Sequence, residues 1–169
     1  MNYLFITGFI LTLIGYAVHT IIHYNEHNNK KSKMPHSLFE LLISLGWIGW
    51  FLMLFFETSI QLPTYLIITG LIISVISLII GALSIITKKG FRKEKELITI
   101  GIYSKIRHPM YLGLILMHLG LPLSLGKLLT LLSTLLWIPQ ILAWKYWEEK
   151  ELINRFKKKY KDYQKRTLF

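Results

Sequence analysis

Five stretches of the 169-residue chain are long, apolar and nearly free of charge: residues 3–24, 38–56, 65–86, 110–125 and 128–147. A bilayer core takes about 20 apolar residues as a helix, so four of them have the length to cross it and 110–125 is short. With 53% of its residues hydrophobic, the chain is too apolar for an ordinary soluble domain and long enough for one domain. These stretches predict an all-α fold. It is an integral membrane protein with five transmembrane helices, a cytoplasmic loop over 87–107 and a C-terminal amphipathic helix over 148–166, forming one domain over 1–169. The first stretch does not read as a cleavable signal peptide, because no basic residue precedes it and no small-residue cleavage site is evident.

Charge sets the orientation. The net charge is +11, from 20 Lys and Arg against 9 Asp and Glu. No basic residue precedes the first stretch, Lys30, Lys31 and Lys33 follow it, and none lies between the second and third. Seven lie between the third and fourth, Lys127 alone between the fourth and fifth, and nine from Lys145 onward. Alternate connections therefore hold 19 basic residues against one. That is the positive-inside pattern for five spans, with the N-terminus outside and the C-terminus in the cytoplasm. Topology and anionic lipid account for the basic excess, so no nucleic-acid partner is expected. Nor is a protein partner evident. The chain has no cysteine, hence no disulfide, thiolate metal site or thiol nucleophile.

Local signals organise the spans. Gly70, Ser74, Ser77, Gly81 and Ser84 recur at four- and three-residue spacing along one stripe, which lets a neighbouring helix approach closely or could border a groove; packing is the preferred reading. Pro109 suits a first helical turn. Pro122 and Gly126 punctuate a turn so short that the last two spans must be antiparallel neighbours. Pro139 is expected to kink the fifth span. Beyond Trp147, Leu152, Phe156, Tyr160 and Tyr163 make an apolar stripe against a basic face, which reads as a helix lying along the membrane surface.

Chemistry concentrates in GIYSKIRHPMYLG, residues 101–113, and WEEKEL, residues 147–152. At ~1.5 Å per residue the two legs of the intervening hairpin are roughly 23 and 30 Å long. Arg107, His108 and Tyr111 therefore return to nearly the same depth as Glu148 and Glu149. A helix N-terminus attracts a carboxylate and a carboxylate attracts an ammonium or sulfonium, so the site suits a zwitterionic, partly apolar ligand. Glu148 and Glu149 point about 100° apart on a helix, so one of them faces the site squarely. Glu148 is the favoured one, with Glu151 a turn further on.

The run LITIGIYSKIRHPMYLG, the hydrophobic hairpin, EEKELINRF and YKDY together resemble the isoprenylcysteine carboxyl methyltransferase family over residues 97–166. These are integral membrane enzymes that use S-adenosylmethionine (SAM), and the wider family includes phospholipid and small-thiol methyltransferases. The resemblance implies that Leu97, Ile98 and Tyr103 line the adenosine pocket. It also implies cofactor contacts from His108, Pro109, Met110 and Tyr111, with Glu148 holding the charged methionine end. Arg107 and Glu148 would be the catalytic pair: Arg107 orients an anionic acceptor with its planar fork, and Glu148 binds the cofactor ammonium or positions the acceptor. Such a transfer rests on in-line alignment and exclusion of water. The acceptor would be a small lipophilic or membrane-associated molecule whose tail enters between helices, with membrane lipid the other partner. Three positions depart from the family pattern: Lys95 stands for a His, Trp144 for an Arg that contacts substrate in eukaryotic members, and Phe156-Lys157 for the usual Phe-Gly. The shortness of the chain fits a prokaryotic plasma membrane.

Other polar groups have plainer readings. His19, His23 and His27 share one helical face but lack an acidic or thiolate companion, so they read as packing or interfacial residues and no metal is expected. His118, in the middle of a span, calls for a hydrogen bond to another helix. Trp137, Trp144, Trp147 and Tyr146 read as packing and interface-belt aromatics, with Trp144 also placed to line an acceptor pocket. No glycine-rich nucleotide-cradling loop is present, so a cofactor site must come from membrane helices and the connecting loop. Two further readings compete: an NADPH-dependent reductase of the sterol or isoprenoid type, related through its C-terminal helices, and a non-catalytic membrane protein.

Overall fold

A computed structural model describes residues 2–27, 36–88 and 96–169. The described residues form helices and no named strand: α1 (Tyr3–His27), α2 (His36–Phe56), α3 (Thr64–Lys88), a short 3-10 turn (Gly101–Ser104), α4 (Pro109–Ser124), α5 (Leu128–Phe156) and α6 (Lys158–Gln164). Within them, Tyr3–Asn25, Thr64–Lys88 and Leu128–Phe156 are long and apolar enough to cross a membrane. Glu40–Phe56 and Pro109–Ser124 are shorter apolar helices. Lys30, Lys31, Lys33 and Lys95 lie outside the described residues, as does the side chain of His27.

Two pairs of helices approach to backbone contact. Between α1 and α2, a Cβ placed on Gly8 would lie 2.6 Å from the Gly49 carbonyl oxygen, and one on Gly15 would lie 2.5 Å from Gly46 Cα. Between α3 and α4 the small-residue stripe does the same work. Gly70, Ser74, Ser77 and Ser84 are buried, and Ser77 Oγ donates to the Gly113 carbonyl at 2.7 Å. In lipid, where apolar burial gives helices little reason to associate, such close van der Waals approach is a main source of adhesion. Gly81 is the exception on the stripe: a Cβ there would meet nothing within 4 Å, because it borders the cavity described below. The stripe serves both readings, since Ser77 packs on Gly113 and also lines the cavity, and the Gly81 backbone lies against Gly113. Ile68, Leu71, Ile72, Val75 and Ile79 on α3 are exposed, as a lipid-facing surface requires.

α5 ties the two pairs together. It packs on α1 and α4 around a core of Tyr16 from α1, Trp50 and Leu54 from α2, and its own Trp137, Ile141 and Trp144, against which Tyr111, Leu114, Ile115 and Leu121 of α4 are packed. The turn from α4 into α5 is as short as expected, although α4 packs more extensively on α3 than on α5. Gly126 in that turn has φ +65°, and a Cβ there would sit 2.4 Å from the Ile60 carbonyl oxygen, so both conformation and space require glycine. Pro139 lies within α5, which continues through it as one helix. His118 makes the inter-helix bond its position called for. Its Nε2 lies 2.8 Å from the Tyr16 hydroxyl and its Nδ1 2.9 Å from the Leu114 carbonyl oxygen. The Nδ1–H tautomer satisfies both, donating to Leu114 and accepting from Tyr16.

The end of the chain differs from expectation. Where one helix is predicted over 148–166, α5 runs to Phe156, Lys157 adopts φ 48° and ψ −122°, and α6 starts at Lys158. The apolar stripe explains the reversal: on α6, Tyr160 and Tyr163 are buried, 0% and 4% exposed. They pack over residues 103–108 rather than along a surface. Periodicity alone does not reveal a one-residue break, least of all where the residue is Lys and not Gly.

Candidate active site

α4 opens with Pro109 at its first position and His108 as its N-cap residue, so its first amides lack helical partners. α5 returns beside it. Between them and α1, α2, α3, α6 and residues 96–107 lies a cavity of about 1800 Å³. Leu97, Ile98, Tyr103, Arg107, His108, Met110, Tyr111 and Glu148 all line it, and Pro109 is buried behind them. Residues of the 97–111 segment and Glu148 are therefore brought to one cavity from distant parts of the chain.

The two glutamates divide the work. Glu148 lines the cavity, accepts a hydrogen bond from the Tyr111 hydroxyl, lies 4.0 Å from His108 Nδ1, and keeps 34% of its side chain exposed. Glu149 turns the other way: its Oε1 lies 3.1 Å from Arg107 Nε and 3.4 Å from His108 Nε2. His108, nearly buried, also has the Tyr160 hydroxyl 3.3 Å from Nε2. The imidazole thus stands between two carboxylates and a phenol, which fixes its ring. The Arg107 guanidinium is largely engaged by protein groups. Besides Glu149, its Nη1 donates to the carbonyls of Gln164 at 3.0 Å and Thr167 at 2.6 Å.

Burial, with help from the nearby Glu148, pushes the Tyr103 hydroxyl up to about 12. Burial pushes Tyr163 up to about 12 as well, opposed by Arg107. Burial raises Tyr160 too, with Glu149 adding to it. All three stay protonated at neutral pH. Tyr163 donates to the Tyr103 carbonyl and so holds α6 on the cavity wall.

Deeper in the cavity, His19 stacks on Trp144 with ring centroids 4.2 Å apart and planes 16° from parallel, and His23 stacks on His19 at 4.6 Å. Trp144 Nε1 donates to Thr20 Oγ1 at 2.9 Å, and that hydroxyl donates to Gln140 Oε1 at 3.0 Å. The histidine face of α1 is thus a stacked wall; among the described residues no group of three potential ligands gathers for a metal.

Two contributions escaped the sequence reading. The tail residues Gln164 and Thr167 give no motif-level signal, because they act through backbone carbonyls. Glu57 at the end of α2 is the other. Its carboxylate accepts from Leu129 N at 2.6 Å, Thr130 N at 2.8 Å and Thr130 Oγ1 at 2.7 Å, capping α5 from another helix. A signal existed: α5 starts after Lys127, with no Ser, Thr, Asp or Asn of its own to cap it.

The sequence profile of the phospholipid methyltransferase family matches residues 58–159, which include α3, α4, α5, both glutamates and the whole arginine–histidine–tyrosine run. The chain belongs to this family. Protein-S-isoprenylcysteine O-methyltransferase of Schizosaccharomyces pombe is 35% identical over 81 residues, 44% of this chain. The match spans 32% of that protein, about a third of its length. No solved structure matches the chain. The family match begins after α2, so the cavity wall from α1 and α2, with His19, His23 and Trp47, lies outside the shared part.

Proposed function

We propose that this phospholipid methyltransferase family member is an integral membrane enzyme that moves a methyl group from SAM to a lipophilic or membrane-associated acceptor. In this reading five helices cross the bilayer, with the N-terminus outside and the cavity at the cytoplasmic face of a prokaryotic plasma membrane, and residues 1–169 act as one domain. The single observation that carries it is the pairing, in one cavity, of the α4 N-terminus with the Glu148 carboxylate.

The lining residues fit the cofactor's chemistry. The unpartnered amides at the start of α4 suit a carboxylate, and Glu148 suits an ammonium. Leu97, Ile98, Met110 and the rings of Tyr103 and Tyr111 supply apolar and aromatic surface for adenosine, with His108 and Pro109 shaping the turn that presents it. Bound there, SAM would supply an electrophilic methyl on a sulfonium. The protein's part is to orient, to enclose and to exclude water, for which a donor and acceptor held in line supply most of the acceleration. Trp144 and the stacked His19 border the remaining space toward α1, which is where a lipophilic acceptor would lie.

Calorimetry of the detergent-purified protein tests the reading, with SAM as ligand, NADPH as comparison and His108→Ala as control. Saturable SAM binding that the variant loses is expected. A folded protein that binds NADPH and not SAM overturns the reading in favour of a reductase; one that binds neither points to a non-catalytic protein.

A further inference from the structure

Arg107 sits in the most conspicuous run of the sequence, yet its guanidinium is occupied by the protein's own tail. Nε pairs with Glu149 Oε1 at 3.1 Å, and Nη1 donates to Gln164 O at 3.0 Å and Thr167 O at 2.6 Å, with Thr167 Oγ1 at 3.5 Å. Gln164 is the last residue of α6, so one of these acceptors is a helix C-terminal carbonyl, where positive charge is favoured, and the other lies just beyond the helix. The backbone repeats the connection. Leu168 N donates to Lys105 O at 2.8 Å and Arg107 N donates to Leu168 O at 2.9 Å, forming a short parallel bridge between Ile106 and Leu168. The Tyr163 hydroxyl adds a bond to the Tyr103 carbonyl, and Thr167 Oγ1 ties the last turn to Tyr163 O at 2.8 Å.

We infer that Arg107 is a positioning residue: it fastens residues 163–168 to residues 103–107 and so builds the wall that carries Tyr103, rather than gripping the acceptor. Three partners in three directions explain why the position needs a planar fork. A lysine ammonium is a compact charge and cannot meet a carboxylate and two carbonyls with the same fixed geometry. Glu149 completes the arrangement by linking the same guanidinium to α5 and to the His108 imidazole. The acceptor is then selected elsewhere in the cavity, on the side of Trp144 and α1.

The last step, from wall to cofactor, rests on the proposed SAM reading; the fastening itself does not. Hydrogen exchange of the detergent-purified protein without ligand therefore tests the fastening alone. In Arg107→Ala the amides of Arg107 and Leu168 are expected to exchange at least about tenfold faster, with α1, α2 and α3 unchanged. Arg107→Lys is expected to fall between it and the wild type. Leu168→Pro, which removes the N–H given to Lys105 O and touches no membrane helix, keeps the question open to test if Arg107→Ala does not fold, because it should loosen the same two segments. Unchanged exchange at Arg107 in Leu168→Pro, or at Leu168 in a folded Arg107→Ala, overturns the inference. Calorimetry with SAM then separates the roles. Affinity weakened more than about tenfold in both variants supports positioning. Unchanged affinity with lost turnover in Arg107→Ala would restore Arg107 as an acceptor contact. A wild type that binds no SAM would count against the function and leave the exchange result standing.

Discussion

The two ends of α5 use the same side chain for opposite purposes. At the start of the helix, Glu57 is 8% exposed and its carboxylate accepts three hydrogen bonds from Leu129 and Thr130. It is consumed in satisfying amides that would otherwise be orphaned in an apolar setting. Near the other end, Glu148 faces a cavity with a third of its side chain exposed, while its neighbour Glu149 is taken up by Arg107 and His108. A carboxylate enclosed by the protein's own donors stabilises the fold, whereas one left facing a large cavity is available to a ligand. Partners, not residue type, separate the two.

Exchanging each carboxylate for a methyl group sharpens that division. Glu148→Ala is expected to weaken SAM binding by about a hundredfold or more, since a desolvated charge pair is worth several kcal/mol when one partner is removed. Its thermal stability in detergent should fall only slightly, because the Tyr111 hydroxyl alone loses its acceptor. Glu57→Ala should do the reverse: about 2–3 kcal/mol of stability is lost because two backbone amides and the Thr130 hydroxyl lose their acceptor. Chemical denaturation measures the loss, and calorimetry on the folded fraction should return the wild-type SAM affinity. A Glu57→Ala protein of full stability that no longer binds SAM would erase the distinction between the two ends.

Much of this was legible beforehand because it rests on periodicity and local chemistry. The apolar stretches, the close α3 stripe, the short turn at Gly126 and the meeting of the 103–111 run with Glu148 all follow from spacing and residue type. The partner of His118 was foreseeable in kind, as a polar group in a span needs one, but not that it would be Tyr16. What escaped depends on backbone groups or on contacts between distant segments. The glycines of α1 and α2 only acquire meaning when Gly8 faces Gly49, and Gln164 and Thr167 act through carbonyls that every residue possesses. The bend at Lys157 was hidden for a different reason. This chain places a residue with a Cβ in a backbone region that glycine favours, and a lysine gives no signal of such a bend.

That bend offers a test at the far end of α5. With φ 48° and ψ −122°, Lys157 stores strain, and Lys157→Gly should relieve it and stabilise the protein by about 1 kcal/mol. The gain should appear as slower exchange in α6 and the 163–168 segment, with the Glu57 end unaffected. A loss of stability would mean that the lysine side chain compensates for its conformation through contacts that glycine cannot make.

An effect of pH also belongs to the cavity end. Tyr103 and Tyr163 have hydroxyls raised to about 12, against about 10 for a free phenol. The folded state therefore favours the neutral form more than the unfolded chain does. Their contribution to stability is fully present below about pH 10 and is lost as pH rises from there toward 12. Melting in detergent between pH 8 and 11.5 should be flat at first and then fall. Tyr163→Phe removes one of the two groups together with its bond to the Tyr103 carbonyl. The variant should start less stable at pH 8 and lose less on the way up. An alkaline slope identical to that of the wild type would show that ionisation elsewhere drives the transition, and that α6 is not held on the wall by a protonated phenol.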